Sequence, residues 1–206
     1  MTTVRFYFDF GSPNAYLSHK VIPEITRRTG AAFDHVPVLL GGIFKLTGNQ
    51  SPMLAFAGIK NKLAYDQLEM RRFIARHGLD QFRMNPHFPV NTLHVMRGAV
   101  AAQAVGVFAP YVDAVFADMW ERGRKMDDPE VFRAALEEAG LPAEELLRLG
   151  QTDAVKAQLM ANTQEAVDKG AFGSPSFLVG EELYFGKDRL ADVEAEILAQ
   201  KGGASG

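Results

Sequence analysis

Gly11-Ser12-Pro13 stands where an aromatic run, Val4 to Phe10 (Val-Arg-Phe-Tyr-Phe-Asp-Phe), meets a segment of helical spacing. Ser12 has the side chain of an N-cap, and Pro13 suits the first helical position. A hydroxyl at a helix N-terminus lies among unpaired backbone N–H groups where the helix dipole is positive, so it can hold an anion such as a phosphate, a carboxylate or a thiolate. The same residues also suit a plain helix cap. The chain has no cysteine, which removes a disulfide framework, a thiolate metal site and any protein thiol for redox or nucleophilic work. The histidines His19, His35, His77, His87 and His94 show no spacing that sets a base beside Ser12, so its hydroxyl reads as a donor rather than a nucleophile.

The elements that would position this hydroxyl follow from periodicity and punctuation. Val4 to Phe10 is rich in β-favouring residues and predicts a buried strand. From Pro13 to Thr29 the apolar residues Ala15, Tyr16, Val21, Ile22 and Ile25 share a helical face, and Gly30 is a stop signal. Ala32 to Val36 reads as a second strand. The Gly, Asn and Pro density from Leu39 to Lys45 and from Thr47 to Pro52 predicts a long connection. Helical spacing returns from about Gly58 to His77, with Lys60 and Lys62 near its start, where cations oppose the dipole and a ligand-facing role competes with plain solvation. Asn85-Pro86-His87-Phe88-Pro89-Val90-Asn91-Thr92 is a proline-punctuated loop suited to line a pocket, with Asn91 or Thr92 able to cap a helix from Leu93 to Gly106.

Further helices are predicted over 109–122, 129–139, 142–149 and 152–169. Phe172 to Val179 turns into an apolar strand, Gly180-Glu181-Glu182 is a turn, and Leu183-Tyr184-Phe185 completes a hairpin. Gly186-Lys187-Asp188-Arg189 opens a last helix, Leu190 to Ala199, with Lys201 to Gly206 expected to fray. The order βαβ, helical block, α, ββ, α describes an α/β chain of thioredoxin type with an all-helical insertion. On this reading residues 1–45 and 164–201 form the thioredoxin-like part and residues 46–163 the insertion.

The composition bounds the function classes. Over 206 residues, 47% are hydrophobic and 23% charged, as in an ordinary globular protein. A net charge of −3 argues against nucleic acid. No run approaches a bilayer span, and the chain enters its first strand without a signal-like progression, so a cytoplasmic protein is expected.

The motifs Phe8-Asp9-Phe10-Gly11-Ser12-Pro13, Gly173-Ser174-Pro175-Ser176-Phe177 and Phe185-Gly186-Lys187-Asp188-Arg189-Leu190 occur in this order. With Gly41 to Lys45, Thr47-Gly48-Asn49 and Asn85 to Thr92, they make nearly the whole chain resemble the 2-hydroxychromene-2-carboxylate isomerases. These belong to the DsbA-like thioredoxin superfamily and are related to kappa-class glutathione transferases. The resemblance implies a glutathione site. Ser12 and Ala15 stand where dithiol relatives carry Cys-x-x-Cys, so the thiol must come from the ligand. Ser12 matches the family serine that meets the glutathione sulfur. Pro175 matches the cis-proline that presents the main chain of Ser174 for strand-like pairing with glutathione. Lys187 and Asp188 match the place that holds the γ-glutamyl end. Lys45, Asn49 and Lys62 are candidates for the glycyl carboxylate or the substrate acid.

The implied activity is glutathione-dependent isomerisation of 2-hydroxychromene-2-carboxylate to trans-o-hydroxybenzylidenepyruvate in aromatic catabolism. Lys45 or Arg83 would hold the carboxylate of this small aromatic substrate, and Phe10, Phe44 and Phe88 would pack its ring; the same phenylalanines also suit a core. The enzyme alternative is a kappa-type glutathione transferase or peroxidase. A different class altogether is a non-catalytic DsbA-like protein that binds a partner through the proline loop. A homodimer is the family expectation.

Overall fold

The computed structural model describes residues 2–203. The chain opens with β1 (Thr3–Phe8), α1 (Pro13–Thr29) and β2 (Ala32–Pro37), and continues into α2 (Leu40–Thr47), α3 (Pro52–Ala55) and α4 (Lys62–His77). Then come α5 (Leu93–Ala104), α6 (Phe108–Trp120), α7 (Pro129–Glu138), α8 (Ala143–Leu149) and α9 (Asp153–Asp168). It closes with β3 (Ser176–Val179), β4 (Glu182–Phe185), a 3-10 turn (Lys187–Arg189) and α10 (Leu190–Gly203). Among the described residues no helix is long and apolar enough to cross a membrane.

The strands form one mixed sheet in the order β2-β1-β3-β4. β1 runs parallel to β2 and antiparallel to β3, and β3 runs antiparallel to β4. This is the expected thioredoxin-type arrangement. The alternation of side chains along β1 divides the core. Val4, Phe6 and Phe8 face α1, α10 and the helical block, while Tyr7 joins Val36, Ile43, Ala166 and Leu178 on the face covered by α2 and α9. The register sets Phe6 opposite Phe177, and their rings stack at 5.1 Å. The expected seams at 45/46 and 163/164 fall inside α2 and α9.

Local signals explain the ends of α1. Ser12 caps it, Pro13 starts it, and Gly30 ends it at φ 66°, donating its N–H to the Thr26 carbonyl at 2.6 Å. Elsewhere the structure corrects the sequence. The connection expected over 39–45 is the helix α2, because Ile43 is fully buried beneath it and Gly42 lies so close to α9 that a Cβ would stand 3.1 Å from Thr163 Cγ2. Tertiary packing overrides the low helix propensity of Gly41-Gly42. α4 starts at Lys62 rather than Gly58, since Asn61 takes the left-handed conformation (φ 71°). α10 continues through Lys201 to Gly203, where fraying is expected, and the Lys201 ammonium bonds the Thr29 carbonyl at the C-terminus of α1. The remaining tail, 204–206, lies outside the described residues.

Candidate functional site

The turn between β1 and α1 sets Ser12 with its Oγ accepting from the Ala15 N–H at 3.2 Å, as a cap does. The same hydroxyl donates to the Ser174 carbonyl at 2.9 Å and is 5% exposed. The Ser174–Pro175 peptide is cis, as the sequence predicts; a second cis peptide, Phe88–Pro89, carries no sequence expectation. The Asp9 N–H donates to Ser174 Oγ at 3.1 Å, and the Gly186 N–H donates to the Pro175 carbonyl at 2.9 Å. Ser12, Ser174, Pro175 and the entrance of the last helix are therefore one bonded unit, although they come from opposite ends of the chain.

Asp9 is the feature the sequence did not single out. It is 1% exposed. Its Oδ1 accepts the Gly11 N–H at 2.8 Å and its Oδ2 accepts the Leu40 N–H at 2.7 Å, and the Thr92 hydroxyl faces it. Burial pushes this carboxyl above the usual aspartate range, against the lowering by these bonds. Thr92 makes no cap bond to α5; Asn91 Oδ1 accepts the Leu93 N–H at 3.0 Å instead. The one sequence signal for Asp9 is a carboxylate inside an apolar aromatic run.

At the other side of the proline turn, Lys187 is 4% exposed and gives its ammonium to Asp188 Oδ1 at 2.6 Å and to the Phe73 ring at 5.1 Å. The Asp188 side chain remains 59% exposed. A buried cation thus orients an accessible carboxylate, which suits an incoming ammonium. Asn49 donates to the Phe172 carbonyl at 2.8 Å, which joins the end of α2 to the same proline loop. Lys45 is exposed on α2, and Phe44 beside it is half-buried.

Other candidates are placed elsewhere. The Phe10 ring is fully buried against Phe8, Phe116 and Tyr111 at 5.2, 4.7 and 6.0 Å, so it is core and not a wall for a substrate. Phe88 is half-buried with its ring 5.9 Å from Trp120. The Arg83 guanidinium folds back onto the carbonyls of Asp80 and Phe82 at 2.6 and 2.7 Å, and the Lys62 ammonium pairs with Asp66 and lies 4.9 Å from the Phe56 ring. Neither cation is brought to Ser12 by these contacts.

Two surface grooves, of about 610 and 510 Å³, are lined by neither Ser12, Ser174 nor Asp188. The larger lies along α1 and α6 and contains His19 and Asp113. His19 Nε2 meets Asp113 Oδ1 at 2.8 Å, its Nδ1 meets His35 Nε2 at 3.1 Å, and His35 Nδ1 meets the Phe33 carbonyl at 3.2 Å. A carbonyl only accepts, so with His35 neutral its proton sits on Nδ1 and its Nε2 accepts from His19 Nδ1. Burial, and then the neighbouring His19, push His35 down to about 4.

A family model described as a DSBA-like thioredoxin domain matches residues 3–198. The 2-hydroxychromene-2-carboxylate isomerase of Sphingobium xenophagum is 27% identical over 198 residues, covering 95% of this chain and 98% of that protein. Glutathione S-transferase kappa 1 of Homo sapiens is 29% identical over 217 residues, covering 97% and 92%. A solved structure of a 2-hydroxychromene-2-carboxylate isomerase superposes with a TM-score of 0.82 at 23% identity, covering 99% of each chain. At that identity the superposition concerns the fold.

Proposed function

Since the chain belongs to the DSBA-like thioredoxin domain family, we propose that it is a glutathione-dependent isomerase that converts 2-hydroxychromene-2-carboxylate to trans-o-hydroxybenzylidenepyruvate. The observation that carries this reading is the Ser12 hydroxyl, set at the N-terminus of α1 against Ser174 of the cis-proline turn in a chain without cysteine. The isomerase and transferase names of the relatives support it.

The residues present fit glutathione by the chemistry of their groups. A hydroxyl and a helix N-terminus suit a sulfur anion, the Ser174 main chain suits a peptide backbone, and the exposed Asp188 carboxylate suits the γ-glutamyl ammonium. When bound, glutathione would supply a thiolate able to add to the double bond once the hemiketal ring has opened to the conjugated ketone, allowing that bond to rotate before the thiolate is eliminated unchanged. Ser12 favours the anionic sulfur by exchanging its carbonyl partner for a charged acceptor, a bond roughly twice as strong. Shifting a thiol from about 8.5 to about 7 needs roughly 2 kcal/mol, within reach of one such bond and the dipole together. The exposed Lys45 is the cation we assign to the substrate carboxylate.

Titrating glutathione into the protein while following thiolate absorbance tests the site. Isomerisation of the chromene with glutathione fully recovered is the expected result, and absence of binding would leave a non-catalytic binding protein. The second reading, a kappa-type transferase, draws on the 29% identity to the human relative. Net loss of glutathione with chlorodinitrobenzene and no isomerisation would establish it instead.

A further inference from the structure

One buried carboxylate accepts the Gly11 and Leu40 N–H groups and faces the Thr92 hydroxyl, which joins three parts of the chain at the foot of the Ser12 turn: the start of α1, the start of α2 and the start of α5. Burying a carboxylate is unfavourable unless donors surround it, and here two backbone amides bond it, one to each oxygen. We propose that Asp9 is a positioning residue for the Ser12 hydroxyl: it fixes the turn that carries Ser12 against α2 and α5, and so sets the distance between the hydroxyl and the sulfur of bound glutathione.

The local bonds show how the force is transmitted. The Asp9 side chain holds the Gly11 N–H, the Asp9 carbonyl accepts the Ser12 N–H at 3.0 Å, and the Asp9 N–H holds Ser174 Oγ. Asp9 therefore touches both sides of the Ser12–Ser174 bond. Gly11 is seated as tightly: a Cβ there would stand 3.0 Å from Thr92 Cγ2 and 3.3 Å from Asp9 Oδ1. The groups facing the carboxylate are the amides of Gly11 and Leu40 and the Thr92 hydroxyl, all neutral. Asp9 is nearly inaccessible and its oxygens are occupied, so it acts through Ser12 and not on the substrate.

The inference rests on the glutathione reading, and the sign of one measurement separates it from a plain charge effect. A carboxylate near a thiolate opposes its ionisation, so Asp9→Asn acting only through charge would make the bound thiol more acidic. Acting through position, Asp9→Asn sets an amide donor against a backbone donor, releases the turn and makes the bound thiol less acidic. The experiment measures the ionisation constant of bound glutathione by thiolate absorbance, and its dissociation constant by calorimetry, in the unmutated protein, Asp9→Asn and Gly11→Ala. The second variant keeps the charge and presses the turn off Thr92, and it carries the test with the same sign if Asp9→Asn does not fold. The expected result is a fall in the thiol ionisation constant of about tenfold in each folded variant, with the dissociation constant changed by less than about threefold. An unmoved or increased ionisation constant in either folded variant overturns the positioning role. Absence of glutathione binding by the unmutated protein overturns the functional reading and the role together.

Discussion

The Ser12 hydroxyl has its acceptor in the Ser174 carbonyl, so on the proposed function a bound sulfur replaces that carbonyl as acceptor and the carbonyl pairs with the glutathione main chain instead. Removing the hydroxyl should leave α1 capped less well but formed. Ser12→Ala is expected to keep glutathione binding, raise the bound thiol by up to about two units and slow turnover about 10- to 100-fold near neutral pH, with partial recovery in alkali. Rate against pH, read beside thiolate absorbance, checks this; an unchanged profile makes Ser12 a cap only. On the proposed function, Asp188 serves binding rather than chemistry. Its carboxylate is exposed and oriented by a buried lysine, so Asp188→Ala should weaken glutathione binding by about 1.5–3 kcal/mol, roughly 10- to 150-fold, with the saturated rate largely kept. Calorimetry and a rate series in glutathione separate the two effects. The turns that carry Ser12, Pro175 and Asp188 were legible because turn chemistry is local, a cap before a proline, a proline before a strand, a glycine before a helix, while the roles expected of these residues came from the family resemblance. Asp9 was not, because its partners at 40 and 92 are remote in sequence and a lone carboxylate in a strand-like run announces none of them.

At the scale of elements, legibility tracks where the stabilising contacts come from. α1 carries its own start and stop signals, whereas α2 is a helix because of what lies under it, Ile43 in the sheet-covering core and Gly42 against α9. Phe10 shows the same limit for side chains: an aromatic residue beside a turn faces core or cleft according to the sheet, and here β1 ends at Phe8 and its ring enters the helical block. α6 supplies one tie between that block and the β1–α1 turn. Trp120, fully buried, donates from Nε1 to the Phe10 carbonyl at 2.7 Å and stacks on Phe82 at 6.1 Å. Trp120→Phe should destabilise the protein by about 2–4 kcal/mol, from the lost volume and an orphaned carbonyl just ahead of Ser12. Denaturant unfolding measures the loss, and a midpoint unchanged from the unmutated protein would show that the tie carries no weight.

For the whole molecule, the buried Asp9 and the half-buried His35 set opposite slopes of stability with pH. His35 titrates at about 4 in the folded chain, below its unfolded value of about 6.5. Between these values the unfolded state binds more protons, so its contribution is present above about 6.5 and is lost as pH falls towards 4, by about 2–3 kcal/mol. Asp9, raised by burial, works the other way: the folded state binds more protons than the unfolded one just above the usual aspartate range, and its contribution declines as pH rises there. His35→Phe should flatten the acid side of the stability curve, seen as a smaller fall in melting temperature between pH 7 and 5; an equal fall in both proteins would place the acid sensitivity elsewhere. Distance along the chain has a further consequence. Ser12 and Ser174 are 162 residues apart, which at ribosomal speeds of about 5–20 residues per second separates their synthesis by roughly 10–30 s. During that interval β1 has β2 available but lacks β3, its other neighbour, and the helices of the insertion are made before the sheet that will seat them can close. The nascent chain therefore carries an unpaired edge on β1 until β3 is made, and the bond between Ser12 and Ser174 forms only after the helices between them have been synthesised.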